Sequence, residues 1–218
     1  MDESDSLYAR TAMYELLARL YTYPLDSAAL DAVTALRLEN APTALSDALA
    51  VMQARIAAAP DRAALVEALN VEATRLFEGP GKPTAPPYAS FYLNGGQLMG
   101  PPALATRRAY LAWNVKPRDD RHVPPDHLAL ELGFMAHLAD LAHADRTPRA
   151  LAASAEFLRE QILTWLPRFS AAVVASTTHP FFIGLANLTS ALATSDDLGL
   201  RGILNVVPDT STIPEGSR

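Results

Sequence analysis

Apolar side chains recur at steps of three and four residues along most of this chain, and this spacing constrains the fold more than any other feature. One clear stripe contains Leu128, Leu132, Met135 and Ala139. Forty of the 218 residues are alanine, which has the highest helix propensity, and only 7% are aromatic. The sequence therefore predicts an all-α fold, a single-domain helical bundle with this stripe at its centre.

Prolines and turn residues indicate where the predicted helices end. The predicted ranges are 6–23, 27–38, 43–58, 61–77, 103–113, 127–144, 148–163, 169–175 and 180–192. Past residue 196 no further helix is predicted, and we expect the end of the chain to fray. We expect a helical domain over residues 1–207 and a flexible C-terminal tail over residues 208–218.

Two irregular segments interrupt the helices. Residues 78–102 contain six prolines and five glycines, which exclude a long helix, together with aromatic residues such as Tyr88, Phe91 and Tyr92. Because a solvated linker is normally polar, these aromatic residues predict that the segment packs against the bundle and has a function. Residues 116–125 form a second, charged connector.

Composition excludes several classes of function. The chain has no cysteine, which rules out disulfides, thiolate metal ligands and thiol nucleophiles. A net charge of −6 without a basic stripe argues against nucleic-acid binding. The acidic start of the chain does not resemble a secretory signal, and no uncharged apolar run reaches about eighteen residues. We therefore expect a cytoplasmic protein with no direct membrane insertion.

Metal and phosphate motifs are incomplete. The Gly-Lys pair ending at Lys82 is followed by Pro83 rather than Ser or Thr, and no strand precedes it, so it does not match a phosphate-binding loop. His127 and His137 point to nearly opposite sides of their predicted helix. We expect neither a metal site nor a bound cofactor.

Asp126 and His127 open the predicted helix over residues 127–144, directly after two prolines. Asp126 is a candidate N-cap, and capping alone would explain its presence. Alternatively, the acid and the imidazole form the polar floor of a groove beside the aromatic segment, which would suit a peptide with arginines next to apolar residues. A third possibility is a metal-dependent hydrolase or nucleotide-acting enzyme that uses Asp126, His127 and Glu131.

Three segments, in this order and spacing, resemble a known family: residues 72–77 (EATRLF), residues 86–92 (PPYASFY) and residues 125–127 (PDH). The family is the TorD/DmsD family of cytoplasmic chaperones for molybdoenzymes, also called redox enzyme maturation proteins. The likeness covers most of the chain. It is stronger to the TorD and DmsD branches than to the nitrate-reductase chaperone branch, although Tyr88 stands where some relatives have tryptophan.

The resemblance implies an all-helical TorD-like domain without catalytic activity. Members of the family bind the twin-arginine signal peptide and the apoprotein of a molybdoenzyme catalytic subunit, and hold it back from export until its cofactor is inserted. The Tat translocase is a candidate further partner, and the sequence leaves monomer and homodimer open. The peptide-binding residues that the resemblance implies are Leu76, Phe77, Pro87, Tyr88, Ser90, Tyr92, Pro125, Asp126 and His127. A subunit with a permanent interface at the aromatic segment remains an alternative.

Overall fold

The computed structural model describes residues 3–79, 81–116, 123–145 and 148–206, and within these ranges all regular elements are helical. This confirms the predicted all-α fold. The α-helices are α1 (Glu3–Leu20), α2 (Ser27–Ala35), α3 (Thr43–Ala57), α4 (Arg62–Ala73), α5 (Ala89–Leu93), α6 (Pro101–Ala112), α7 (Leu128–Asp145), α8 (Pro148–Phe157), α9 (Leu166–Ser176) and α10 (Pro180–Val206). Two π-helical turns, Thr74–Glu78 and Leu158–Ile162, follow α4 and α8.

The core lies where α7 packs against α1 and α8, and where α10 packs against α3, α8 and α9. The apolar stripe of α7 is buried, as the spacing predicted: Leu128, Leu132 and Met135 are each at most 1% exposed. Aspartates begin two of the shorter helices, because the Asp26 carboxylate accepts from Ala29 N–H and the Asp61 carboxylate from Ala63 N–H. Of the helices described, none is long and apolar enough to cross a lipid bilayer.

The last helix is longer than predicted. α10 continues to Val206, whereas the predicted helix covers only residues 180–192. Salt bridges hold this extension in place: Arg159 and Arg201 both pair with Asp197, and Arg10 pairs with Asp196. The predicted tail, residues 208–218, lies outside the described residues.

The aromatic segment is also more regular than predicted. Residues 89–93 form the short helix α5, which contacts α6 and α9. A helix of five residues does not contradict the prediction that this segment has no long helix, and it places Ser90, Phe91 and Tyr92 on one helical turn. Residues 117–122 of the second connector lie outside the described residues.

Candidate functional site

The two irregular segments meet each other at a single antiparallel bridge between Tyr88 and His127. Ala89 N–H donates to the Asp126 carbonyl at 3.0 Å, and Leu128 N–H donates to the Pro87 carbonyl at 2.9 Å. The two rings of the bridge also contact edge to face, with centroids 4.9 Å apart. The sequence indicates two separate irregular segments, and these backbone contacts join them into one site. We call this site, residues 87–90 and 125–128, the junction.

Asp126 is fully buried at this junction. One carboxylate oxygen, Oδ2, accepts a 2.6 Å hydrogen bond from the backbone N–H of Ser90 in the first turn of α5. The other, Oδ1, is buried without a hydrogen-bond partner in the described part of the chain. The carboxylate therefore accepts from the first turn of α5 and not from α7, so of the alternatives left open above, the interpretation of Asp126 as an N-cap of the long helix is wrong. In α7, His127 Nδ1 accepts from Ala129 N–H at 3.1 Å instead.

A second buried acid lies one turn further along α7. Glu131 is 0% exposed, and its carboxylate accepts hydrogen bonds from the Thr106 hydroxyl at 3.1 Å and the Trp165 indole N–H at 3.2 Å. Burial raises the pKa of Glu131 well above its ordinary value, and the nearby charge of Asp126 adds to this shift. Glu131 thus connects α6 to Trp165, the residue just before α9.

Tyr110 connects α6 to the other side of the junction. Its hydroxyl donates to the Pro125 carbonyl at 2.9 Å. Burial raises the pKa of this phenol, and the charges of Glu131 and Asp126 raise it further. The hydroxyl therefore remains a neutral donor that holds Pro125 in position.

The nine residues implied by the family resemblance are not equally placed. Six lie at the junction: Pro87, Tyr88, Ser90, Pro125, Asp126 and His127. Leu76 is buried, and its carbonyl accepts a hydrogen bond from Ala85 N–H of the same segment at 2.8 Å. Phe77 is buried and Tyr92 half-buried, and both rings contact Phe169, with centroids 6.0 and 6.2 Å away.

Burial separates these residues further. Tyr88, Tyr92 and Pro125 are partly exposed, whereas the other six are buried. Phe77 belongs to an aromatic cluster of the core, because its ring also contacts Tyr21 and Phe182. Apolar spacing marks such residues as inward-facing but does not distinguish a core position from the wall of a groove.

Sequence reasoning missed an open groove next to Pro125, which we call the α6 groove. It has a volume of 390 Å³ and lies between α6 and the start of α7. Its lining includes Met99, Leu104, Arg107, Leu111, Lys116 and Pro125. The available signal was the seven-residue spacing of Leu104 and Leu111 on an otherwise polar helix face.

A second open groove, the α4 groove, has acidic walls. Its volume is 710 Å³, and Glu67, Glu72 and His179 are among its lining residues. The Arg75 guanidinium donates two hydrogen bonds to Glu72 and holds the pKa of that carboxyl below its usual range. Glu67 has no salt bridge with any described residue.

Comparison with known proteins identifies the family. The family described as nitrate reductase delta subunit matches residues 38–171, which is more than half of the chain. A protein named Chaperone protein TorD from a Psychrobacter species is 30% identical over 178 residues, which cover 75% of this chain and 78% of that protein. The chain belongs to the TorD-like family of redox enzyme maturation chaperones.

Other TorD relatives match over shorter or more divergent stretches. The TorD chaperone of Vibrio cholerae serotype O1 is 34% identical over 125 residues, and the match spans 57% of its length. A redox enzyme maturation protein of known structure from Archaeoglobus fulgidus has the same fold, with a TM-score of 0.52. It is 20% identical, and the alignment covers 83% of this chain and 92% of that one.

The named relatives of this TorD-like chain are chaperones. Within the described ranges, no three His, Cys, Asp or Glu residues are arranged to hold a metal ion. The three residues of the enzyme alternative have structural partners instead: Asp126 binds α5, His127 binds the first turn of α7, and Glu131 binds two buried donors. Nothing in this geometry favours the enzyme alternative.

Proposed function

We propose that this protein is a cytoplasmic chaperone that binds the twin-arginine signal peptide and the apoprotein of a molybdoenzyme. Binding would keep the precursor from the Tat translocase until the cofactor is inserted. The proposal is supported by the family and by one observation above all, the junction at Tyr88 and His127. Six of the nine residues that the family resemblance implies lie together there.

At the junction, the unpartnered oxygen of Asp126 is the chemical feature that suits an arginine. A buried carboxylate oxygen without a donor is unfavourable, and a guanidinium would supply that donor as a charge-assisted hydrogen bond. Because Asp126 is 0% exposed, the peptide reaches it only after the junction opens locally. The free energy of this opening reduces the apparent affinity, and a correct peptide must offset it.

The apolar part of the signal peptide would pack on the partly exposed residues of this region, Tyr88, Tyr92 and Pro125. Leu76 and Phe77 are buried core residues, and the Leu76 carbonyl accepts a hydrogen bond from Ala85 of the segment. Substituting them should affect peptide binding only through the stability of the fold.

The α4 groove offers the competing site for the arginines, because Glu67 lies there without a salt bridge to any described residue. The test must therefore compare the two acids. We would titrate the full chain calorimetrically with the twin-arginine signal peptide of a molybdoenzyme encoded nearby, and with its double-lysine version. Asp126→Asn and Glu67→Gln would be titrated beside the wild type.

We expect micromolar or tighter binding, about 8 kcal/mol or more, which weakens about tenfold or more with the double-lysine peptide and in Asp126→Asn. Glu67→Gln should bind as the wild type does. Loss of binding in Glu67→Gln alone would move the arginine site to the α4 groove. Absence of binding by folded wild-type protein to any such peptide would contradict the proposed function.

A further inference from the structure

The outer face of α6 exposes large apolar side chains to solvent. Leu104 is 52% exposed and Leu111 is 58% exposed, and they lie two turns apart on one face. Met99, just before the helix, is 62% exposed and lines the same groove. Apolar residues clustered in this way beside a groove mark an interaction surface rather than scattered surface residues.

Cations lie within this apolar stripe. Arg107 and Arg108 follow Leu104 by three and four residues, so they occupy the turn between the two leucines. Both are exposed, and neither has a salt bridge to any described residue. Lys116 lines the same groove. In a chain with a net charge of −6, this face is locally basic.

We propose that the α6 groove binds an acidic amphipathic helix of the client apoprotein. Apolar residues of that helix would fill the groove between Leu104, Leu111 and Met99, and its Asp or Glu side chains would pair with Arg107 and Arg108. The spacing of the stripe, with apolar and basic residues alternating turn by turn, is the complement of such a helix. The inference rests on the proposed function, since the client supplies the helix.

The charge of the groove excludes the arginine pair of a signal peptide as its occupant. Guanidinium groups placed beside Arg107 and Lys116 would be repelled. The same face therefore complements the junction: one site takes the cationic start of the precursor, and the other an acidic segment of its body.

The shape of the groove disfavours a small molecule. Sites for small ligands bury about 70–90% of the ligand surface. Here two of the apolar walls, Leu104 and Leu111, are themselves more than half exposed, so a small ligand would leave much of the apolar surface in water. A helix laid along α6 covers the groove and both leucines together.

The test uses the full chain and two titrants: the client apoprotein without its signal peptide, and the signal peptide alone. Two double variants, Arg107→Glu with Arg108→Glu and Leu104→Ser with Leu111→Ser, change the charge and the apolar part of the face separately. The matched controls are Lys82→Glu and Leu198→Ser, since Lys82 is exposed and Leu198, on α10, is 65% exposed.

We expect each α6 variant to weaken binding of the signal-free apoprotein at least tenfold, while each control changes it less than twofold. Binding of the signal peptide alone should be unchanged in all four variants. Rising salt should strongly weaken apoprotein binding by the wild type and by the two controls, and should have a smaller effect on apoprotein binding by the α6 variants. Wild-type affinity for the apoprotein in both α6 variants would overturn the inference. So would a failure of the wild type to bind the signal-free apoprotein.

Co-sedimentation separates a protein partner from a membrane. Wild type and α6 variants would be mixed with vesicles of phosphatidylglycerol and phosphatidylcholine. We expect no α6-dependent binding to the vesicles, and binding that the α6 variants abolish would replace the helix with a lipid surface. Failure of the wild type to bind the signal peptide would contradict the proposed function. It would leave the inference about the α6 groove intact, because that inference is tested by the separate titration with the apoprotein.

Discussion

The carboxylate of Asp126 accepts a 2.6 Å hydrogen bond from the backbone N–H of Ser90, which lies 36 residues earlier in the chain. This bond fixes α5 to the start of α7 and is completely buried. Together with the bridge between Tyr88 and His127, it joins the two irregular segments into one junction. The stability of the junction therefore depends on an acceptor at position 126 rather than on capping of α7.

Asp126→Ala should destabilise the protein by about 1–3 kcal/mol, because the buried N–H of Ser90 loses its acceptor. Asp126→Asn keeps an oxygen that can accept the same bond and should lie within about 1 kcal/mol of the wild type. Urea unfolding followed by circular dichroism at pH 7 measures both values. Equal losses in the two variants would show that the bond to Ser90 does not carry the effect.

Helix spacing predicted the all-α fold and most helix positions because the core is made of regular stripes. The far end of α10 was not predictable in the same way. Its last turns depend on pairs such as Asp197 with Arg159 and Asp196 with Arg10, which are 38 and 186 residues apart in sequence. Local propensity carries no information about partners at such distances.

The candidate site was predictable in part for a related reason. Proline, glycine and aromatic composition indicate both irregular segments, and the position of the acid after Pro125 indicates either a helix cap or a functional group. Asp126 binds the backbone N–H of Ser90 because α5 packs next to the start of α7. No local sequence pattern predicts this packing. The exposure of Leu104 and Leu111 on α6 was not predictable, because spacing shows that a helix has an apolar face but not whether another element covers that face.

Gly184 sets the distance between α10 and α3. A Cβ at this position would lie 2.6 Å from Met52 Cγ and 2.9 Å from the Ala48 carbonyl oxygen, so Gly184→Ala should destabilise the protein by about 1–3 kcal/mol. Gly199, on the same helix, has open space around its Cβ position. Gly199→Ala should therefore stabilise by about 0.5–1 kcal/mol. Thermal unfolding of the two variants gives shifts of opposite sign if the close approach is real.

Asp197 stabilises the last turns of α10 in a pH-dependent way. Burial alone would raise its pKa, but hydrogen bonds from Arg201 and Arg159 outweigh it and hold the pKa below the ordinary 3.8. Its contribution is therefore present above the pKa of the unfolded chain and is lost as the pH falls through the lower folded value. Asp197→Asn should cost about 1–2 kcal/mol at pH 7, since both arginines are partly exposed.

The measurement for Asp197 is the difference in unfolding free energy between wild type and Asp197→Asn from pH 7 down to pH 3. We expect the difference to shrink below about pH 4. Asp31→Asn, at an exposed acid that pairs with Arg62 at 3.3 Å, is the control and should change stability by less than about 1 kcal/mol at any pH. A difference for Asp197→Asn that is constant with pH would contradict the assignment.

Glu131 should have the opposite pH dependence. Burial raises its folded pKa above the ordinary 4.5, so the folded state holds a proton that the unfolded chain has already released. The stability that comes from the protonated form is complete below about pH 4.5 and is lost as the pH rises through the folded pKa, by at most about 1.4 kcal/mol per pH unit. In Glu131→Gln the amide carbonyl can still accept from Trp165, and the amide N–H can donate to the Thr106 hydroxyl.

Glu131→Gln should therefore gain stability relative to the wild type as the pH increases from 5 to 8. Unfolding free energies from urea titrations at three or four pH values give this difference directly. Glu156→Gln, at an exposed acid on α8, should show no such trend. If the two variants ran parallel to the wild type across the whole range, Glu131 would have to be ionised in its pocket, and Thr106 and Trp165 would then be donors to a buried charge.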